Sequence, residues 1–314
     1  MRPYLIHWWR GAILAAIATG ILWLALSQVF GRTAVHSAAG QPLRVLATTT
    51  QIQDFVRNVG GDRVSVIPIM QGDEDAHEYQ PTASDARAFV DADVIFANGV
   101  DLESWFGRLA QNARPGVPIV KLAEAPGITL RPADESASLG DPHVWFDPVN
   151  AQHMVVNIRD TLSVVDGASR ATYEQNAQRY WDQLDQLDRD IAAEWTTVPA
   201  DQRKLVTNHE AFGYYVSRYG ITFIGSVLPF STHAEPSAAD TQRLIQEIRA
   251  QNVRAIFTEA SVTPRLAEQI SQQAGVRIYS NLYGDPLGKP GSEGDAYVKM
   301  MRFNTRTMIA GMTG

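Results

Sequence analysis

Seven histidines are available for chemistry in this 314-residue chain, and cysteine is absent. His7 lies in an apolar N-terminal run and His36 just after it, which leaves His77, His143, His153, His209 and His233. His209 ends the apolar run KLVTNH, directly before Glu210 and a helical pattern. In open α/β sheets ligands bind at the carboxyl ends of strands, so an imidazole there is well sited. Asp285, in SNLYGDPLG, follows another apolar run by a few residues, in a Gly-Asp-Pro turn. His77, in GDEDAHEYQPT, follows SVIPIM and precedes a helical segment. His143 stands in GDPHVWFDP, between two Asp-Pro steps. Proline fixes its own φ and pushes the residue before it into extended conformations, so this imidazole is held on a short, rigid, non-helical loop. Three imidazoles and a carboxylate, two from each half of the chain, could coordinate a metal ion.

The same residues also have ordinary roles. A loop histidine is commonly a surface residue, and Asp before Pro is commonly turn chemistry, which suits Asp141 and Asp147 as well as any functional role. His153 reads as a surface or packing residue on a helix, and His233, in STHAEPSAAD, as loop structure before the N-cap candidate Ser237. NHEAF lacks the second histidine of an HExxH zinc motif. Spacing alone therefore leaves a metal site and plain loop structure both open.

The elements that must position these residues alternate. Strands are predicted at 44–50, 65–70, 93–99 and 118–122, with helices at 51–60, 84–92 and 102–112 between them. Helices follow at 150–165 and at 169–195, the second long, polar and free of internal Gly and Pro. The first pattern then returns, with strands at 204–209, 221–228, 254–260 and 277–283 and helices at 212–219, 238–251, 264–274 and 295–310. Continuous apolar strands alternating with helices imply parallel sheets covered on both faces. The fold class is α/β, with two lobes, each a mostly parallel sheet flanked by helices, joined by one long linking helix. The division expected is 1–40 as an export signal or N-terminal anchor, 41–166 as the first lobe, 167–198 as the linking helix and 199–314 as the second lobe.

Composition narrows the function. A formal net charge of −7 argues against a nucleic-acid partner. Without cysteine there are no disulfides, thiolate nucleophiles, Cys-type zinc sites or lipid anchors through an N-terminal cysteine. Gly11 to Phe30 runs without a charge, flanked by Arg2, Arg10 and Arg32, and a small polar stretch follows. That order is the n-, h- and c-region of an export signal. Cleavage near Ser37–Ala39 and retention as an anchor both remain open, and either places the body outside the cytoplasm.

Six segments now carry a resemblance: AHEYQPT (76–82), DPHVWFDP (141–148), TNHEAFGYYVSRYG (207–220), AEPSAADTQRLIQEI (234–248), IFTEASVTPRLAEQI (256–270) and YGDPLG (283–288). In their order and spread over nearly the whole exported part, they resemble the periplasmic substrate-binding proteins of metal ABC transporters, the zinc/manganese group (cluster A-I, the zinc-uptake solute-binding proteins). The resemblance implies two α/β lobes, a rigid linking helix and a metal held between the lobes by His77 and His143 from the first and His209 and Asp285 from the second. Trp145 and Phe146 would then wall the site against water.

Under this resemblance Zn2+ is the transported ligand, captured outside the cytoplasm and passed to an ABC permease in the membrane. Three imidazole nitrogens and one carboxylate suit zinc, whereas manganese prefers more oxygen, and manganese-binding members tend to carry Glu where this chain has His209. The alternatives are a manganese- or iron-binding member of the same family and a metal-dependent adhesin. A hydrolase is disfavoured because four protein ligands leave no open position for water. A metal chaperone is an optional further partner, and a monomer is expected. The segment 127–140 is short and free of histidine, so the metal-collecting loop of many zinc members is absent. No role is read for Glu210, Glu235 or Glu259. Gly72 and Gly284 are expected to absorb backbone change when the loops bearing His77 and Asp285 rearrange.

Overall fold

A computed structural model describes residues 41–132, 139–229 and 236–314. The N-terminal segment 1–40, the middle of 127–140, His233 and Glu235 lie outside the described residues. Among the described residues no helix is long and apolar enough to cross a membrane.

The first sheet holds β1 (Leu43–Ala47), β2 (Val64–Pro68), β3 (Val94–Ala97) and β4 (Ile119–Lys121), in the order β2-β1-β3-β4. The second holds β5 (Lys204–His209), β6 (Thr222–Leu228), β7 (Ala255–Glu259) and β8 (Arg277–Leu282), in the equivalent order β6-β5-β7-β8. Every pairing is parallel. The central strands β3 and β7 are buried along their whole length, as VIFA and AIFTE require when both faces are covered. In each sheet the strand order reverses beside β1 or β5, which creates a crevice at the carboxyl ends of the β1/β3 and β5/β7 pairs.

Helices connect the strands: α1 (Thr50–Gly60), α2 (Ala83–Asp91), α3 (Phe106–Ala110), α4 (Pro148–Val165), α5 (Arg170–Trp195), α6 (Gly213–Tyr219), α7 (Ala238–Ala250), α8 (Arg265–Ala274) and α9 (Tyr297–Thr313). Two predicted boundaries move. The strand predicted over 44–50 stops at Ala47 because Thr49 turns out as the N-cap of α1, its hydroxyl accepting from Ile52 N–H. The helix predicted over 102–112 contracts to Phe106–Ala110. Val100 and Asp101 adopt left-handed φ of 53° and 56°. The buried Glu103 carboxylate gathers the N–H groups of Asn98 and Gly99 and the Thr48 hydroxyl, so this stretch closes as a turn first.

Helix α5 is the 26-residue linking helix. Tyr173, Ala177, Tyr180, Leu184, Leu187, Ile191 and Trp195 are buried at steps of three and four, one apolar stripe down its length. Polar contacts fasten it to both halves. The Tyr180 hydroxyl donates to Asp54 of α1, Trp195 Nε1 donates to the Tyr215 hydroxyl of α6, and Arg302 of α9 donates to Asp190. One contiguous apolar core runs from Leu43 through this stripe to Met312, with a smaller cluster under β6, α7 and α8.

Candidate metal centre

The crevices at the two sheet ends face each other, and the four residues singled out in the sequence meet there. One donor atom from each of His77, His143, His209 and Asp285 lies within 4.8 Å of every other, and all four side chains are buried. His209 is the last residue of β5, at the strand-order reversal of its sheet. Asp285 stands on the loop after β8, His77 on the loop after β2, and His143 just before the single helical turn Val144–Phe146. Asp147, the second Asp of the DPHVWFDP loop, is the N-cap of α4 and accepts from Val149 N–H, with Pro148 in the first turn.

The separations are tight. His77 Nε2 lies 3.4 Å from His143 Nε2 and 3.4 Å from Asp285 Oδ2, and His143 Nε2 lies 3.3 Å from Asp285 Oδ1. A tetrahedron with bonds of about 2.1 Å has edges of roughly 3.4 Å. The donors of His77, His143 and Asp285 therefore stand at the spacing of a small tetrahedral cation's ligands, with His209 within 4.8 Å of each. The three imidazole rings approach edge-on or tilted, with centroids 5.0 to 5.5 Å apart, and Trp145 packs against His143 at 5.4 Å. Trp145 and Phe146 are both buried, as a dry wall requires.

Two carboxylates behind the rings set which nitrogen is bare. Asp141 Oδ1 lies 2.8 Å from His143 Nδ1 and also accepts from the His143 backbone N–H at 3.0 Å. A proton on Nδ1 satisfies that pair and leaves Nε2 as the nitrogen turned toward the Asp285 carboxylate, free to coordinate once deprotonated. Glu259, at the end of β7, lies 3.4 Å from His209 Nδ1 and does the same at longer range. Burial disfavours the charged imidazolium of His143, but the hydrogen bonds of Asp141 and Asp285 outweigh it and push the pKa up to about 9. Burial would also raise Asp285, yet His77, His209 and His143 hold it well below the ordinary carboxylate range. For Glu259, burial wins and the pKa is raised, with His209 opposing. Asp285 Oδ1 is buried, with His143 Nε2 facing it at 3.3 Å. Without metal a proton shared between His143 and Asp285 satisfies both, and a cation entering the cluster must displace it.

The remaining candidates fall elsewhere. His153 is half-buried on α4, against Gly127. Glu210 lies 3.5 Å from the Ser226 hydroxyl, outside the cluster. Sequence reasoning left Asp141 between turn chemistry and an unspecified functional role, and gave Glu259 none. The signal for Asp141 was its i−2 spacing from His143. That for Glu259 was its place at a strand's carboxyl end, the criterion already applied to His209. Gly72 and Gly284, expected to absorb backbone change, also have a packing role in this structure. Both lie outside the left-handed region. A Cβ on Gly72 would stand 2.9 Å from the Gly288 backbone, and one on Gly284 would overlap the Glu259 carboxylate. Each is a site of close approach, which glycine alone allows.

Lobe-to-lobe contacts do not depend on the cluster alone. The loop after Asp285 lies across the start of α1: Gln51 Nε2 donates to the Asp285 carbonyl, Leu287 N–H to the Thr50 hydroxyl and Asp73 N–H to the Leu287 carbonyl. On the other side the Tyr214 hydroxyl of α6 donates to the Asp141 carbonyl.

Two parallel-sheet lobes bridged by a long helix, with a buried His/Asp cluster between them, define an extracytoplasmic solute-binding protein of the metal-capturing class. The chain belongs to the family described as the zinc-uptake complex component A, periplasmic, whose model matches residues 45–311. It is 31% identical over 282 residues to the manganese ABC transporter substrate-binding lipoprotein PsaA of Streptococcus mitis, covering 88% of this chain and 91% of that protein. It is 32% identical over 277 residues to the manganese-binding lipoprotein MntA of Halalkalibacterium halodurans, with the same coverage of 88% and 91%. Among solved structures it resembles the periplasmic zinc-binding protein TroA of Treponema pallidum, with a TM-score of 0.82 and 30% identity over 87% of this chain and 100% of that one. The protein is thus the binding component of a metal ABC transporter, not an enzyme, and its partner is a membrane permease. Those two relatives are named lipoproteins, whereas this sequence contains no cysteine to carry a thioether-linked lipid.

Proposed function

We propose that this protein captures Zn2+ with His77, His143, His209 and Asp285 and delivers it to the permease for uptake. The observation that carries the reading is the donor spacing of 3.3 to 3.4 Å among three of these residues, matched to a tetrahedral ion, with the His209 imidazole as the third nitrogen donor. Zinc takes nitrogen and carboxylate donors at roughly 2.0–2.2 Å, and this set contains three imidazoles. Asp141 and Glu259 support it by holding the His143 and His209 rings with Nε2 toward the site. The segment before Gly40 serves as export signal or anchor.

A manganese reading has one specific support besides the names of the relatives. Both Asp285 oxygens face the cluster, Oδ1 toward His143 and Oδ2 toward His77, so the carboxylate could supply two donors to a larger ion. One experiment decides between them: metal analysis of the purified exported body, followed by competition of zinc against manganese. The expected result is one tightly held equivalent of zinc that excess manganese does not displace. Retention of manganese against equimolar zinc would replace the zinc reading with the manganese one.

A further inference from the structure

A second cavity, of about 330 Å3, opens at the carboxyl ends of β5 and β6 in the second lobe. Its apolar wall is Val227, Leu228 and Leu266, and its polar groups are Asn208, Thr263, Arg265 and Gln269. We propose that this cavity binds a small carboxylate anion carrying a short branched apolar tail.

The orientation of Asn208 is fixed by its surroundings. Its Oδ1 accepts from the Glu259 backbone N–H at 3.0 Å, so the other end of the amide is the NH2 donor. Asn208 is 1% exposed, and its Nδ2 is buried with no acceptor among the described residues. A buried donor without a partner costs free energy, which an acceptor entering the cavity would recover. Two further features make that acceptor an anion. The cavity wall includes the first turn of α8, a 10-residue helix whose N-cap is Pro264 and whose N-terminal N–H groups receive no side-chain cap. Such a terminus favours negative charge. Arg265 is the first residue of that helix, exposed, and makes no ion pair among the described residues. Glu268, the acid of the same turn, does not line the cavity. Asn208, Arg265 and the helix start line the same cavity as these three aliphatic side chains, whose surface suits a branched hydrocarbon. The volume falls at the small end of ligand pockets, which span roughly 300–1,000 Å3.

The test is calorimetric titration of the metal-loaded protein with isovalerate, with its neutral analogue isovaleramide and with acetate, repeated on Arg265→Gln. Arg265 is distant in role from the metal centre, so zinc affinity of the variant is measured alongside as a control of folding. Isovalerate should bind saturably at one equivalent, with isovaleramide and acetate each weaker by about tenfold or more. Arg265→Gln should weaken isovalerate by about tenfold while zinc affinity is unchanged. Absence of saturable isovalerate binding, equal binding of the amide, or an Arg265→Gln variant that binds isovalerate as the wild type does would overturn the proposal. None of these outcomes bears on the metal centre, whose test is metal competition.

Discussion

The two Asp-Pro steps flanking His143 look alike in sequence, and the structure separates them into a test. Asp141 puts Oδ1 at 2.8 Å from His143 Nδ1 with both side chains fully buried, whereas Asp147 caps α4 and faces Arg218 at 3.2 Å. Asp141→Asn keeps an oxygen in place to accept from the ring and from the His143 N–H, removes the charge, and puts an NH2 in place of the buried Oδ2. Loss of such an outer partner costs roughly 10–100-fold in metal affinity, or about 1.4–2.7 kcal/mol. The pair is short and shielded from solvent, so the loss should fall in the upper half of that range. Glu259→Gln acts through a contact of 3.4 Å and should fall in the lower half. Asp147→Asn retains a residue that caps helices well and should leave affinity unchanged. The assay is zinc titration against a fluorescent chelator for all three variants. Wild-type affinity in Asp141→Asn, or an equal loss in Asp147→Asn, would refute the claim that Asp141 acts on the metal through His143.

Three further outcomes follow from other contacts. His209→Ala should lose far more zinc affinity than His153→Ala, and His209→Glu should shift competition toward manganese by exchanging a nitrogen donor for oxygens; both are read from metal competition. Gly284→Ala should weaken zinc binding and lower the Tm, because its Cβ overlaps the Glu259 carboxylate beside Asp285; wild-type behaviour in both would contradict that packing. Asp93, bonded to Arg44 and Arg114, has its pKa lowered: burial opposes this, and the arginine hydrogen bonds prevail. A depressed carboxylate contributes stability above its unfolded pKa of about 3.9 that is lost as pH falls toward the folded value. Asp93→Asn should therefore cost about 1–2 kcal/mol at neutral pH, allowing for solvent at the half-exposed arginines, and the difference from wild type should vanish in acid denaturation.

What the sequence disclosed depended on how local each signal was. Strand alternation and the 169–195 stripe repeat over many residues, and the two sheets and α5 follow from them directly. His209 was legible because a strand's last residue is a defined place in an α/β sheet. The convergence of His77 and Asp285 was not, since it depends on the register of two sheets more than 200 residues apart, and only the resemblance linked them. The stretch 102–105 was misread as helix because the cause of the turn there, the Glu103 carboxylate, acts through Thr48 from another strand's end. The packing role of Gly72 and Gly284 was not legible because close approach between distant segments leaves no trace in local pattern.

Delivery requires the metal to leave, and the packing restricts how. The apolar core is continuous from the first sheet through the α5 stripe to α9, so the lobes are not two separate bodies on a hinge. Every 100 Å2 of apolar surface exposed by opening them costs about 2.5 kcal/mol. Opening would also break the Tyr180–Asp54, Tyr214–Asp141 and Arg302–Asp190 contacts. The loops bearing His77 and Asp285 are held differently. They meet each other through Asp73 N–H and the Leu287 carbonyl, an ion pair of Lys289 with Asp73 and two bonds from the start of α1. These few polar contacts are far cheaper to exchange for water than the core is to open. Removing zinc should therefore raise hydrogen exchange in 71–81 and 283–295 and leave the buried stripe of α5 protected. Small-angle scattering with and without metal should give the same radius of gyration. A wide rotation of the lobes about α5, or loss of protection between Tyr173 and Trp195, would show that release runs through the core instead of the loops.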